Sequence, residues 1–387
     1  MYDDFIKDCW AELAGRSLDE TAVTLLGLPA KLGGVGVQFA STRKNAALFA
    51  SWSAAVETVT QDVGCAAVAD GLEKLPVIKA HLQQARAGLA TQGLQLSDGA
   101  SLADALRHPS PQGLMTEKVQ KTRLAALKRS LPFSQQAEVS GGGGPGSSGF
   151  LTYPTEAVCS LEDTAWSTAL RQRLQLRRAE CDEAALNQVS HTCQQKNAQG
   201  VLCGQPLDDR GYHSSTCQCG GGVLRRHGRI ERVVGSLVAR WRHETPLYEQ
   251  RVPAWDTRDA NGTIVERAIL DLQYQDDDGT RWVDVSCRHA AAGDTAQLRA
   301  AARREGEASR RGERDKHRRY PGDRLIPFVV ETGGRVGAEA RHWLHALTRE
   351  WPKDQQAKEL TRAYKSVSCA LQSEVAGQLR RCAGLHQ

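Results

Sequence analysis

Ile269-Leu270-Asp271-Leu272-Gln273-Tyr274-Gln275-Asp276-Asp277-Asp278-Gly279-Thr280-Arg281-Trp282-Val283-Asp284-Val285-Ser286-Cys287 decides how the rest of this chain is read. Residues 269–274 and 281–286 each read as a short strand, and Asp276-Asp277-Asp278-Gly279 between them is a turn signal. A hairpin closed symmetrically on Asp277-Asp278 sets 270 opposite 285, 271 opposite 284 and 272 opposite 283. Side chains alternate along strands, so Leu270, Leu272, Val283 and Val285 share an apolar face while Asp271, Gln273 and Asp284 share the other. Directly opposed residues have Cβ atoms roughly 5 Å apart, so the two aspartates repel unless something neutralises them. A divalent cation between them is one answer. A solvated hairpin, or a one-residue bulge that turns the carboxylates to opposite faces, is the alternative.

On the C-terminal side, residues 294–319 read as one helix. Its Arg303, Arg304, Arg310, Arg311, Arg314, Lys316, Arg318 and Arg319 are interrupted by Glu305, Glu307, Glu313 and Asp315, a mixed face that is solvated by default. Leu325-Ile326-Pro327-Phe328-Val329-Val330 suits a buried strand with its Pro near the start. Helices then close the chain, from Ala338 to Leu347 and from about Asp354 to Leu379. On the N-terminal side, residues 247–253 read as a strand carrying Glu249. Before it, Ile230, Val233, Val234, Leu237 and Val238 recur at helical spacing within 223–241. Arg225, Arg226, Arg229, Arg232, Arg240 and Arg242 flank that stripe, a density that suits phosphate contact.

Further upstream, Cys193, Cys203, His213 and Cys217 gather four nitrogen and sulfur ligands within 25 positions. That set suits tetrahedral zinc, and four protein ligands leave no open position, hence a structural role. Cys219 can stand in for Cys217 and His191 for Cys193; free thiols beside a surface histidine are the bland reading. Residues 3–138 read as helical, with a capping box at Ser17-Leu18-Asp19-Glu20, Ala-rich segments over 44–57 and 102–129, and a loop at Leu28-Pro29-Ala30-Lys31-Leu32-Gly33-Gly34-Val35-Gly36. Ser140 to Gly149 is so rich in Gly and Ser that it reads as a flexible linker and the main domain boundary. Ser160-Leu161-Glu162-Asp163 can cap a helix running to about Arg178.

A length of 387 residues implies two or three domains of about 150 residues each. No apolar run of about 18 residues occurs, and Met1-Tyr2-Asp3-Asp4 does not open a secretory leader, so the expectation is a soluble intracellular protein. There the 11 cysteines are thiols or metal ligands rather than a disulfide framework. The net charge of +5 is mild, but the basic residues crowd 225–242 and 303–319.

The order helix 224–241, strand near 249, hairpin 269–287, basic helix, strand 325–330 is αβββαβ, and with the residues it carries it resembles the PD-(D/E)XK, or restriction-endonuclease-like, nucleases. More narrowly, the chain is similar to the C-terminal part of non-LTR retrotransposon polyproteins. Their CCHC zinc motif falls on Cys193, Cys203, His213 and Cys217, their Asp and later acidic residue on Asp271 and Asp284, and their lysine near a tyrosine on Lys316 with Tyr320. The helical N-terminal part is similar to the region after a polymerase palm. The resemblance implies an α+β chain. It would have a helical, thumb-like domain over 1–138, a linker over 139–150 and a helix with a zinc module over 151–222. A nuclease core over 223–350 and a C-terminal helix over 351–387 would follow.

The implied activity is metal-dependent DNA endonuclease, a hydrolase that nicks target DNA. Asp271 and Asp284 would hold catalytic Mg²⁺ and Lys316 would act beside them, with Glu249 or Glu231 completing the shell. Zinc would be structural. Arg225, Arg226, Arg229, Arg310, Arg311, Arg314 and Arg318 would contact nucleic acid. DNA is the implied partner, with RNA of the parent element second, no membrane is involved, and the nucleus is implied where the substrate is chromosomal. Leu270 stands where the family has Pro, and Ser286 where its simplest motif has Lys. Tyr2-Asp3-Asp4 lacks the strand of a polymerase centre, so no polymerase is implied. The rival classes are a nucleic-acid-binding zinc protein with an inactive nuclease fold and a zinc-stabilised interaction module.

Overall fold

Helix formers with few β-branched residues fill the first 130 positions, and that part of the chain is helical. The computed structural model describes residues 1–96, 101–107, 112–154, 156–178 and 190–385. It opens with α1 (Tyr2–Ala14), α2 (Glu20–Gly27), α3 (Ala40–Asp62), α4 (Val68–Lys74), α5 (Pro76–Thr91), α6 (Leu102–Arg107) and α7 (Gln112–Ser130). The expected 102–129 segment is thus described as α6 and α7, with 108–111 outside the described residues. Phe49, Leu82, Leu89, Leu106, Met115 and Val119 form the core of these helices. The cap of α2 is Asp19, which accepts the Ala22 amide at 2.7 Å, rather than the Ser17 of the expected box. Asp3 caps α3, taking the Ala40 and Ser41 amides at 2.8 and 3.0 Å.

Contacts divide the chain into two units: Met1–Glu12, Ser17–Pro29 and Gly36–Leu131, and Leu13–Arg16, Ala30–Val35 and Pro132–Gln387. The second unit holds α8 (Phe133–Gly141), α9 (Asp163–Arg173), α10 (Tyr212–Thr216), α11 (Gly222–Arg242), β1 (Leu247–Arg251), β2 (Thr257–Arg258), β3 (Ile264–Glu266), β4 (Ile269–Asp276) and β5 (Gly279–Arg288). It continues with α12 (Thr295–Arg303), α13 (Glu307–Arg319), β6 (Leu325–Glu331), α14 (Ala338–Leu347) and α15 (Lys353–Cys382). Its main sheet runs β1-β4-β5-β6, with β5 and β6 parallel and the other pairs antiparallel. The chain is therefore α+β.

One face of the sheet carries Leu272, Tyr274, Val283, Val285, Phe328 and Val330 against the apolar stripe of α11 and against α14 and α15. On the opposite face α13 packs closely, since a Cβ at Gly312 would lie 2.9 Å from Val329 Cγ1. The expected single helix over 294–319 is two, because Gly306 adopts a left-handed φ of 72° between α12 and α13. The helix starting near Ser160 ends at Arg173, where Gln175 turns left-handed with φ 56°.

The hairpin closes on Asp277-Asp278, and pairs run from Asp276↔Gly279 to Leu272↔Val283 in the register the sequence predicts. Arginines offset most of the charge at the turn: Arg281 reaches Asp276 and Asp278, and Arg242 reaches Asp277. Regular pairing of β4 with β5 ends at Leu272↔Val283, just before the aspartates. There the Asp271 side chain takes the Val285 amide at 2.6 Å. Leu270 packs with Val252, Ala268, Tyr320 and Leu325 instead of joining the Leu272 cluster.

The Gly/Ser stretch is a correction. Composition predicts a flexible linker at 140–149, yet Ser140, Gly141, Gly142, Gly143, Ser147 and Gly149 are buried. Arg173, 6% exposed, holds it by donating to the carbonyls of Ala30, Gly34, Gly142 and Ser147, and Arg335 donates to Ser140. Glycine serves close approach here rather than freedom: a side chain at Gly33 would strike the Val139 carbonyl. Replacing Arg173 by Ala strands those carbonyls, so the expected loss is roughly 3 kcal/mol in urea unfolding. Protease cleavage within 140–149 should appear in the variant and not in the wild type.

Candidate functional site

Asp271 on β4 and Asp284 on β5 meet where the hairpin opens, and the crossover to the parallel strand β6 carries α13 over them. Lys316 of α13 pairs with Asp284, Nζ to Oδ2, at 2.6 Å. Asp271 Oδ1 accepts from His227 Nε2 of α11 at 3.0 Å while its Oδ2 holds the Val285 amide. The two carboxylates lie close enough for the Asp271 charge to act on Asp284.

Asp284 is 4% exposed. That burial is the largest influence on its carboxyl, pushed up to about 6; Lys316 pulls it down and Asp271 pushes it further up. Burial thus exceeds the repulsion that the sequence alone suggested. The hydrogen bond to Asp271 raises His227 above the usual imidazole value, against its own burial, and the charges of Glu231 and Asp284 add to the rise. Glu231, one turn along α11, is raised by burial and then by Asp271.

Glu249 falls opposite Asp271, because Tyr248↔Leu272 and Gln250↔Leu270 flank it. Its φ of 50° takes it out of the ladder into the left-handed region, a strain of about 1–3 kcal/mol of the kind that collects at functional sites. Its charge is felt at Glu231. Tyr320, buried beside Trp255 with ring centroids 5.6 Å apart, feels the charge of Asp284.

The predicted arginines separate. Arg226 is 2% exposed and donates to the Ser215 carbonyl and to Gln378, so it is an interior residue and not a nucleic-acid contact. Arg225 and Arg229 are exposed, and Arg229 lines a groove of about 220 Å³ with Arg232 and Arg362. Arg310 and Arg314 both pair with Glu307, Arg318 pairs with Asp315, and Arg311 is bonded to Gln297. His227 is the residue that sequence reading passed over. Its signal was the i, i+4 spacing to Glu231 on one helix face, outside the apolar stripe.

Cys193, Cys203, His213 and Cys217 form a group that could hold a metal ion, their ligand atoms all within 4.8 Å of one another. The alternatives fall away: neither His191 nor Cys219 belongs to it. Cys193–Cys217 is 3.7 Å, Cys203–Cys217 3.8 Å and Cys203 Sγ–His213 Nε2 3.5 Å. Burial pushes the Cys193 and Cys217 thiols up to about 12, so a cation has to displace their protons.

No protein-family model matches the chain, and no curated protein matches it. Among the described residues no helix is long and apolar enough to cross a membrane.

The Asp284 shift predicts a pH signature. A carboxyl raised from 3.8 to about 6 by folding binds its proton more tightly in the native state. Its contribution therefore disfavours folding progressively as pH rises from about 4 through about 6. In EDTA, the stability gain of Asp284→Asn over wild type should grow across that window and level off above it. Urea midpoints at pH 4.5 and 7 check this, and an equal difference at both would contradict it.

Proposed function

We propose that this chain is a divalent-metal-dependent DNA endonuclease of the PD-(D/E)XK kind, with structural zinc in its Cys₃His group. The observation that carries the reading is the convergence of Asp271, Asp284 and Lys316, from three separate elements, around one buried carboxylate. The order of a Cys₃His group followed by helix, three main-sheet strands and a crossover helix supports a retrotransposon-type polyprotein segment, acting on chromosomal DNA in the nucleus.

The donors fit a hard cation, being carboxylate oxygens with further acids beside them. Asp271 and Asp284 would hold Mg²⁺, with Glu231 and Glu249 as candidates to complete the shell. When bound, the ion supplies Lewis-acid stabilisation of the phosphate and a water of lowered pKa. Lys316 neutralises charge developing on the phosphoryl oxygens. His227 fixes the orientation of Asp271 from behind, as partners of metal-binding carboxylates do. The exposed Arg225, Arg229 and Arg232 supply phosphate contacts.

Zinc fits the other group on geometry. Bonds of about 2.3 Å to sulfur and 2.0–2.1 Å to nitrogen give tetrahedral edges of about 3.8 Å between sulfurs and about 3.6 Å from sulfur to nitrogen, close to the Cys193–Cys217, Cys203–Cys217 and Cys203–His213 separations of 3.7, 3.8 and 3.5 Å. Elemental analysis should return one zinc per chain, lost in Cys203→Ser, and a strong chelator should loosen residues 190–222.

Plasmid nicking in Mg²⁺ and in EDTA tests the activity. Asp271→Asn, Asp284→Asn and Lys316→Ala should each lower it roughly 1,000-fold while DNA binding persists. Arg229→Ala should weaken binding and reduce the salt slope by about 1. Nicking that survives both aspartate substitutions would remove the site. Salt-dependent binding with no nicking under any metal would leave the inactive nuclease fold as the better reading.

A further inference from the structure

Arg226 is a buried cation that, among the described residues, has no carboxylate partner. Neutral dipoles alone hold it. Nη1 and Nη2 each donate to the Ser215 carbonyl at 3.2 Å, and Nη1 donates to Gln378 Oε1 at 3.1 Å. Gln378, on α15, donates its own Nε2 to the Cys217 carbonyl at 3.3 Å. Ser215 lies on α10 between His213 and Cys217, so Arg226 reads the turn that carries two of the four Cys₃His ligands. The fit is close, since a Cβ on Gly222 at the start of α11 would lie 2.7 Å from Gln378 Cδ. The loop carrying Cys193 is fastened nearby, with the Gln194 amide donating to the Cys382 carbonyl at 2.8 Å and the Gln195 side chain to Arg381.

A guanidinium buried without an anion depends on every dipole that faces it. Arg226 therefore holds the first turns of α11 in place only while the Ser215 carbonyl and the Gln378 amide are themselves in place. α10 has five residues, too few to persist alone. Asp208 caps it, taking the Tyr212 and His213 amides at 2.9 Å each, and a metal bound across Cys193, Cys203, His213 and Cys217 would tie the capped turn to the loops that carry Cys193 and Cys203. The residue after Arg226 is His227, which donates to Asp271.

We propose that Arg226 and Gln378 couple the two centres, Arg226 being a positioning residue that sets His227 against Asp271 when the Cys₃His group is loaded. The inference rests on the zinc reading and, for its catalytic consequence alone, on the nuclease reading.

The test is amide hydrogen exchange by NMR in the full chain, read at residues 226–230 and at Val285, whose amide Asp271 holds. In the zinc-loaded wild type these amides should be protected, and zinc removal should speed their exchange roughly ten-fold. Gln378→Ala, with zinc still at one per chain, should do the same. Gln372→Ala removes another buried amide of α15, one bonded to the Thr332 carbonyl at 3.1 Å, and should leave them unchanged. Exchange unchanged in Gln378→Ala, or sped equally in Gln372→Ala, overturns the coupling. In a nicking assay Gln378→Ala should lower kcat and leave KM for DNA unchanged. A wild type that never nicks counts against the nuclease reading only, and hydrogen exchange still decides the coupling.

Discussion

A carboxylate with 4% of its surface exposed, beside a second carboxylate, cannot be left uncompensated, and Asp284 imposes that requirement on everything around it. Lys316 answers it from the crossover helix at 2.6 Å. Asp271 is satisfied separately, by a strand amide on one oxygen and an imidazole on the other. Three elements on different parts of the chain are thereby pinned to the open end of one hairpin. At its other end the hairpin needs no such arrangement, since Arg242 and Arg281 pair with the three turn aspartates. Five charged groups at the turn are thus occupied with one another, while the carboxylates at the open end remain strained in charge.

Arginine plays two roles in this chain. On the surface it is exposed, as at Arg229, or held by neighbouring acids, as at Arg310 and Arg314 with Glu307. Inside, Arg173 and Arg226 organise the backbone by donating to carbonyls of loops and short helical turns. A guanidinium has five donors in a fixed plane, so one side chain can clasp two loops that share no regular hydrogen bonding. Loss of either interior arginine acts on loops far from it in sequence.

Periodicity made the hairpin and its turn legible, because alternation and the Asp-Asp turn allow one register with an apolar face. The same holds for α11, with its stripe from Ile230 to Val238, and for α14, read from Ala338 to Leu347 as found. The site residues Asp271 and Asp284 followed from that register, whereas Lys316 came from resemblance, since nothing local in a mixed basic helix distinguishes one lysine. Composition misled at 140–149: Gly and Ser tell how free a segment is alone, not whether a distant Arg173 will bind its carbonyls. Arg226 was misread for a related reason, because a helical arginine beside an apolar stripe can point to solvent or to a neighbouring loop, and only tertiary contacts decide. The break at Gly306 was hidden by the strong helix formers on both sides.

Parallel pairing between β5 and β6 also orders events during synthesis. The hairpin is complete once residue 288 has left the ribosome, but α13 lacks part of its support until β6 supplies Val329 and its neighbours. Such a non-local pairing closes late, since its loop has to be ordered before any contact rewards it. A nascent chain that stops short of Glu331 therefore displays the two carboxylates without a settled lysine. Truncated translation products therefore hold an incomplete centre.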